Sequence, residues 1–131
     1  MSGEGAAGVL AASVIGVLRQ VPGLSQVSDG APLQAGDASA TVEIGPETNW
    51  GHKSGEGAEV RLAVLIRCGG ERPGRVRALM ELARQAVVAI GPDCGEWRLV
   101  SLVMLRSRTV RGSGPSWTGV AEYRARLMRG G

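Results

Sequence analysis

Two segments of the chain repeat their apolar residues about every three to four positions, which is the spacing of an amphipathic helix. They are residues 5–19 and 72–90. Pro22 follows the first segment, Pro73 falls in the first turn of the second, and Gly91 comes after its end. Proline in a first turn and glycine or proline beyond a last turn are typical of helix boundaries. The pattern therefore predicts two helices.

Four other segments have the residue pattern of strands. Apolar and polar residues alternate in 38–44, 59–67 and 117–128, which is typical of strands with one buried face. The segment 97–106 is apolar at both odd and even positions in its middle. That pattern predicts burial on both faces, either inside the fold or against a neighbouring subunit.

The order α-β-β-α-β-β predicts an α+β fold of two layers, with two helices packed on a mainly antiparallel sheet of four strands. A length of 131 residues and a hydrophobic fraction of 44% fit a single domain, 1–131, with one core. No segment approaches the roughly 18 apolar residues of a membrane span, and residues 1–8 lack the pattern of a signal peptide. We expect a soluble protein of the cytoplasm with no membrane partner.

Residues 46–57, PETNWGHKSGEG, lie between two predicted strands and are polar and rich in glycine. A hairpin turns within about two to five residues, so a longer loop is usually either disordered or in contact with something outside the domain, and we favour an assembly contact. Trp50 is the large aromatic residue of this loop. Buried tryptophans contribute strongly to interfaces, so we expect Trp50 to anchor one.

Few residues offer catalytic or metal-binding chemistry. His52 is the only histidine, and the spacing of Cys68 and Cys94 is not that of a zinc site. No glycine-rich phosphate-binding motif is present. Acidic residues near the long loop resemble paired carboxylates, yet surface acids on a hairpin are far commoner. We therefore expect no enzymatic activity, no catalytic residue, no metal and no cofactor.

Charge is distributed unevenly along the chain. Residues 1–60 hold two basic and seven acidic residues, a net −5, whereas residues 61–131 hold thirteen arginines and five acids, a net +8. This asymmetry indicates partners of both signs, or it reflects the arginine-rich composition that a GC-rich genome encodes. The arginines suit phosphate, but few exposed aromatic residues accompany them for base stacking, and arginine pairs equally well with carboxylates of a protein.

Several short motifs occur together in a characteristic order. They are DGAP at 29–32, VEIG at 42–45, KSGEG at 53–57, the strand at 60–67, RLVSL at 98–102 and GVAEYRARL at 119–127. In this order and spacing they resemble the tail-completion proteins of phages with long non-contractile tails. That family is similar to the lambda-like tail terminators and occurs also in gene transfer agents. The resemblance covers nearly all of the chain from Val9 to Leu127.

The resemblance implies a structural protein of the virion rather than an enzyme. Six copies would form a ring that caps the tail tube, ends its polymerisation and joins the tail to the head connector or stopper protein. DNA would pass through the lumen of the ring without sequence-specific binding. The protein would be assembled in the bacterial cytoplasm and would lie in the neck of the tail.

The long hairpin and the loops near it are expected to make the contacts between subunits. The candidate interface residues are Glu47, Trp50, His52, Lys53, Glu56, Glu59, Arg61, Arg75, Arg106, Arg108 and Arg111. A closed ring joins two different patches of each subunit, so opposite charges on the two patches favour closure. We expect acids around the hairpin, with Glu43 among them, to meet arginines of an adjacent subunit, such as Arg61, Arg75 or Arg106.

Two other interpretations remain open. A head-closure or stopper protein, or another neck component, would share the small α+β fold and bind on the portal side. A small ferredoxin-like enzyme or a nucleic-acid-binding domain would instead need a pocket of convergent polar groups or a stacking surface.

Overall fold

The computed structural model describes residues 5–30, 38–51, 53 and 55–130. Two helices and six strands lie in these residues. They are α1 (Ala6–Leu18), β1 (Gln26–Asp29), β2 (Ala38–Asn49), β3 (Gly57–Gly69), α2 (Gly74–Val88), β4 (Asp93–Cys94), β5 (Trp97–Arg111) and β6 (Ser116–Arg129). The α+β class predicted from the sequence is confirmed, with helices and sheet forming two layers.

The sheet differs from the one predicted. It has six strands in the order β1-β2-β3-β6-β5-β4, and β1 is parallel to β2 while the other neighbours are antiparallel. The prediction of four strands was wrong because β1 and β4 are only four and two residues long. Such short strands show no alternation, and both lie among the glycines and prolines that mark connections.

Both helices pack on one face of the sheet through the residues that the spacing predicted. In α1 the buried residues include Leu10, Val14 and Leu18, each four positions from the next. In α2 they include Val76 and Val87. In the part of the chain that the structure describes, neither helix is long and apolar enough to cross a bilayer.

The core lies between these helices and the central strands β3 and β6. Leu62 of β3 pairs with Tyr123 of β6, and both are almost completely buried. Burial of a large apolar side chain stabilises a fold by about 1.5–3 kcal/mol. Gly119 of β6 lets α2 approach, since a Cβ atom there would lie 2.5 Å from the Met80 sulfur. β3 and β6 therefore form the stable centre to which the outer strands are attached.

The hairpin between β2 and β3 is more regular than residues 46–57 suggested. β2 continues to Asn49, which pairs with Ala58, so that the connection is reduced to residues 50–56. The ladder is interrupted by a bulge between Ile44 and Glu47. The end of β2 is exposed on both faces, so it contains polar residues like those of a loop. Its backbone is nevertheless paired with β3.

Candidate assembly interface

β5 has a free edge along most of its length. β6 pairs with β5 from Trp97 to Arg111, but β4 covers only Trp97 and Arg98 on the other side. From Val100 onwards no strand among the described residues pairs with that side. A long free edge presents backbone N–H and C=O groups to solvent and is a typical place for another chain to bind.

Exposed apolar side chains are concentrated on β5. Seven large apolar residues of the described chain are exposed, and five of them belong to this strand. They are Val100, Val103, Met104, Leu105 and Val110, with exposed fractions of 38–50%. A cluster of this kind is typical of an interaction surface, because isolated proteins rarely leave neighbouring apolar residues in water.

Two bulges explain why this strand presents apolar residues on both faces. The register with β6 shifts between Leu99 and Ser101 and again between Met104 and Arg106, which leaves Val100 and Leu105 as the extra residues. Each bulge changes which face the following side chains occupy. Of the two locations that the sequence left open for 97–106, the structure shows that the middle of the strand is not inside the fold.

Arg108 and Arg111 lie beyond the predicted strand 97–106 but belong to β5, because the turn that follows is limited to residues 112–115. Arg106 binds the Glu122 carboxylate through Nε and Nη2 at 2.8 and 3.2 Å. This hydrogen bonding, followed by the charges of Arg106, Arg108 and Arg61, lowers the pKa of Glu122. Arg111 lies over the ring of Trp117, with its guanidinium carbon 5.5 Å from the centroid.

Two acids expected to meet a neighbouring subunit are paired within the chain. Glu56 accepts a hydrogen bond of 2.8 Å from Arg129, whose guanidinium also binds Glu96 at 2.8 Å. Glu59 pairs with Arg126 at 3.0 Å. These contacts join the β2–β3 hairpin to β6, so the observed role of both acids is within the fold.

Trp50 is partly buried at the tip of the same hairpin. Its backbone N–H donates to the Gly57 carbonyl at 3.0 Å, and its ring lies 5.4 Å from the Arg126 guanidinium carbon. The backbone packs closely, since a Cβ atom on Gly57 would lie 2.6 Å from the Trp50 carbonyl oxygen. Lys53 is exposed nearby, and His52 lies outside the described residues.

The remaining candidates fall in three places. Glu47 and Glu56 line one cavity of about 400 Å³ together with Arg129. Arg61 and Arg108 line a second groove of about 400 Å³, on the sheet face away from the helices, together with Glu43 and Glu122. Arg75 is exposed at the start of α2. The structure therefore does not gather all the predicted interface residues into one patch.

The described residues contain no group of three or more histidine, cysteine, aspartate or glutamate side chains that could hold a metal ion. Cys68 and Cys94 are both buried.

Comparison with known proteins identifies the fold. No protein-family model and no curated protein matches the chain. A chain from a solved structure described as "Virion of native gene transfer agent (GTA) particle" superposes with a TM-score of 0.76 and 24% sequence identity. The superposition covers 96% of this chain and 99% of the other. The two chains therefore share a fold over nearly their whole length.

Several residues at these sites were not among the candidate interface residues predicted from the sequence. Glu122 and Arg126 belong to the predicted strand 117–128, but their partners depend on the register between strands. The strand register also decides that Arg129 lies beside Glu56 and Glu96. Val110 was missed because the strand was expected to end at Arg106.

Proposed function

We propose that this chain is a structural subunit of a phage-like particle, and that within it the chain acts as a tail terminator. The main support is the shared fold with a chain of a gene transfer agent virion, which extends over 96% of this chain. The order of motifs along the sequence independently supports the same family. In this proposal the protein is not an enzyme and carries out its function by assembly.

The proposed assembly is a ring of six copies in the neck of the tail. One side of the ring caps the tail tube and stops its polymerisation, and the other binds the head connector or stopper protein. The exposed apolar residues of β5 support an assembling subunit, because burial of apolar surface favours association by about 25 cal/mol for each Å² removed from water. DNA passes through the lumen without sequence-specific contacts.

Deletion of the gene in a strain that produces the particles tests the proposal. A terminator ends tube growth, so its loss is expected to give tails of variable and excessive length that do not join heads. Negative-stain electron microscopy of the particles measures tail length, and expression of the intact gene from a plasmid provides the control. Tails of normal length in the deletion strain would contradict the proposal.

The same images distinguish a head-closure or stopper protein, which would share the fold. Loss of a stopper is expected to leave tails of normal length beside heads that have lost their DNA. A pull-down with the major tail tube protein adds a second measurement, because a terminator binds the tube directly and a stopper binds on the portal side.

A further inference from the structure

The two edges of the sheet carry opposite charge. β1 and β2 form one edge and contain three acids, Asp29, Glu43 and Glu47, and no basic residue. β5 lies at the other edge and contains four arginines and no acid. They are Arg98, Arg106, Arg108 and Arg111. We call these surfaces the acidic edge (β1 and β2) and the basic edge (β5).

Most of these charges are not used inside the fold. In the part of the chain that the structure describes, no ion pair involves Asp29, Glu43 or Glu47, although Glu56 and Glu59 on the same hairpin are both paired. Among the described residues, Arg106 is the one arginine of β5 that forms an ion pair, while Arg111 lies over the Trp117 ring. Charges of opposite sign are therefore available at both edges for a second molecule.

The two edges lie on opposite flanks of the subunit. Glu43 and Glu47 lie on β2, three positions from β5 in the sheet, which corresponds to about 14 Å at the usual strand spacing of about 4.8 Å, and the groove that Glu43 and Arg108 both line lies between them. A cyclic ring requires a head-to-tail contact, in which one patch of each copy meets a different patch of the next. Two complementary patches on opposite flanks satisfy this requirement.

We infer that the basic edge of one copy docks on the acidic edge of a second copy of this chain. Val103 and Leu105 lie within the contact, and Arg108 and Arg111 face Glu43 and Glu47 of the neighbour. The inference rests on the proposed function in that it describes the junction between two subunits of the ring. It does not use Glu56 and Glu59, which are paired within their own chain.

The contact is made by side chains rather than by one continuous sheet. Pro46 lacks a backbone N–H, and the bulge beside it interrupts the acidic edge. The bulges at Val100 and Leu105 interrupt the basic edge in the same way. Irregular edges of this kind prevent uncontrolled strand addition. Side-chain charge and apolar contact then select the partner.

Two charge-reversed variants test the inference. The first carries Arg108→Glu and Arg111→Glu on the basic edge, and the second carries Glu43→Arg and Glu47→Arg on the acidic edge. Each variant alone brings like charges together, so self-association measured by analytical ultracentrifugation is expected to weaken by about a hundredfold or more relative to the natural chain. A control matched to the first variant, Arg67→Glu with Arg72→Glu, lowers the net charge by the same amount without altering β5 and is expected to associate normally.

An equimolar mixture of the two variants gives the decisive result. Each junction in an alternating assembly then joins opposite charges, so association is expected to return with a strict one-to-one composition in native mass spectrometry. A single chain with all four substitutions is expected to associate by itself. Restored association also shows that both variants are folded. If the basic edge instead met the basic edge of a second copy, the acidic-edge variant would associate like the natural chain.

The inference is wrong if either variant associates like the natural chain, if the mixture fails to associate, or if the natural chain is a monomer at about 100 μM. These outcomes leave the proposed function open to its own test, because tail length in the deletion strain does not depend on which edges meet. Conversely, tails of normal length together with restored association in the mixture would reject the terminator and retain the junction.

Discussion

β3 and β5 are both long strands of one sheet with a similar supply of valine and leucine, but they use these residues differently. β3 lies between β2 and β6, and its residues alternate between buried positions and positions that are partly or fully exposed. β5 has one neighbour along most of its length and exposes apolar residues in its middle. The comparison shows that position in the sheet and strand register, rather than composition, decide whether apolar residues stabilise the fold or remain available to a partner.

The largest change in the free energy of unfolding is expected when a core side chain of β3 is truncated. Leu62 is 2% exposed and lies at the centre of the core, so Leu62→Ala should lower the free energy of unfolding by about 2–5 kcal/mol. Urea denaturation followed by circular dichroism measures the change. A loss below about 1 kcal/mol would show that β3 does not form the core and would remove the contrast with β5.

A close backbone contact at the start of β3 is expected to have the next largest effect. Gly57→Ala places a Cβ atom against the Trp50 backbone, and we expect a loss of about 1–3 kcal/mol in the same denaturation experiment. Gly69→Ala at the other end of β3 is the control, since its Cβ atom would have no neighbour within 4 Å. Equal effects of the two substitutions would contradict the packing described for the hairpin tip.

Arg129 connects the two regions, because it binds Glu56 beside β3 and Glu96 beside β5 and lies 4.6 Å from the centroid of the Trp97 ring. These groups are partly exposed, which limits the energy of each ion pair. Arg129→Ala should therefore cost about 1 kcal/mol and should lose part of its effect in high salt. Thermal unfolding at two salt concentrations measures this, and an effect independent of salt would assign it to packing alone.

On β5 itself, polar substitution should leave the monomer almost unchanged. Val103→Thr with Leu105→Thr is expected to alter the free energy of unfolding by no more than about 0.5 kcal/mol, because both side chains are substantially exposed. Val64→Thr on β3 is the matched control and should destabilise clearly, since Val64 is 1% exposed. A large loss in the β5 variant would show that this strand is part of the core.

The smallest effect concerns pH. Arg106 holds the pKa of Glu122 below its ordinary value of 4.5, so this contact stabilises the fold above that pH and is lost as the pH falls through the lowered pKa. Titration of the Glu122 carboxyl followed by NMR should show the lowered pKa and a return towards 4.5 in Arg106→Ala. An unchanged titration would mean that Arg106 does not bind Glu122 in solution.

The spacing of apolar residues was sufficient to predict the regular core of this fold. The segments 59–67 and 117–128, which contain Val64 and Tyr123, were predicted as strands with one buried face because strict alternation survives where one face is covered. β1 and β4 were missed because they consist of too few residues to show a period. The ends of β2 and β5 were missed because their side chains are polar while their backbones are paired.

The contacts that the candidate interface residues make within the chain could not be predicted from the sequence, for a physical reason. Alternation shows which face of a strand a residue occupies, but it does not show which residue lies opposite on the next strand. Glu56 and Glu59 were therefore expected to meet another subunit, although Arg129 and Arg126 of the same chain bind them. The apolar run of β5 was visible in the sequence, yet only the order of strands shows that it lies at an edge.

The central position of β6 has a consequence for synthesis. This strand follows every other described element in the chain, yet it is paired along nearly its full length with both β3 and β5. While the ribosome is still making it, β3 and β5 lack their shared neighbour and the core cannot close. We therefore expect folding to be completed only after β6 has left the ribosome, and an interrupted polypeptide to lack the sheet that would present its edges to another copy.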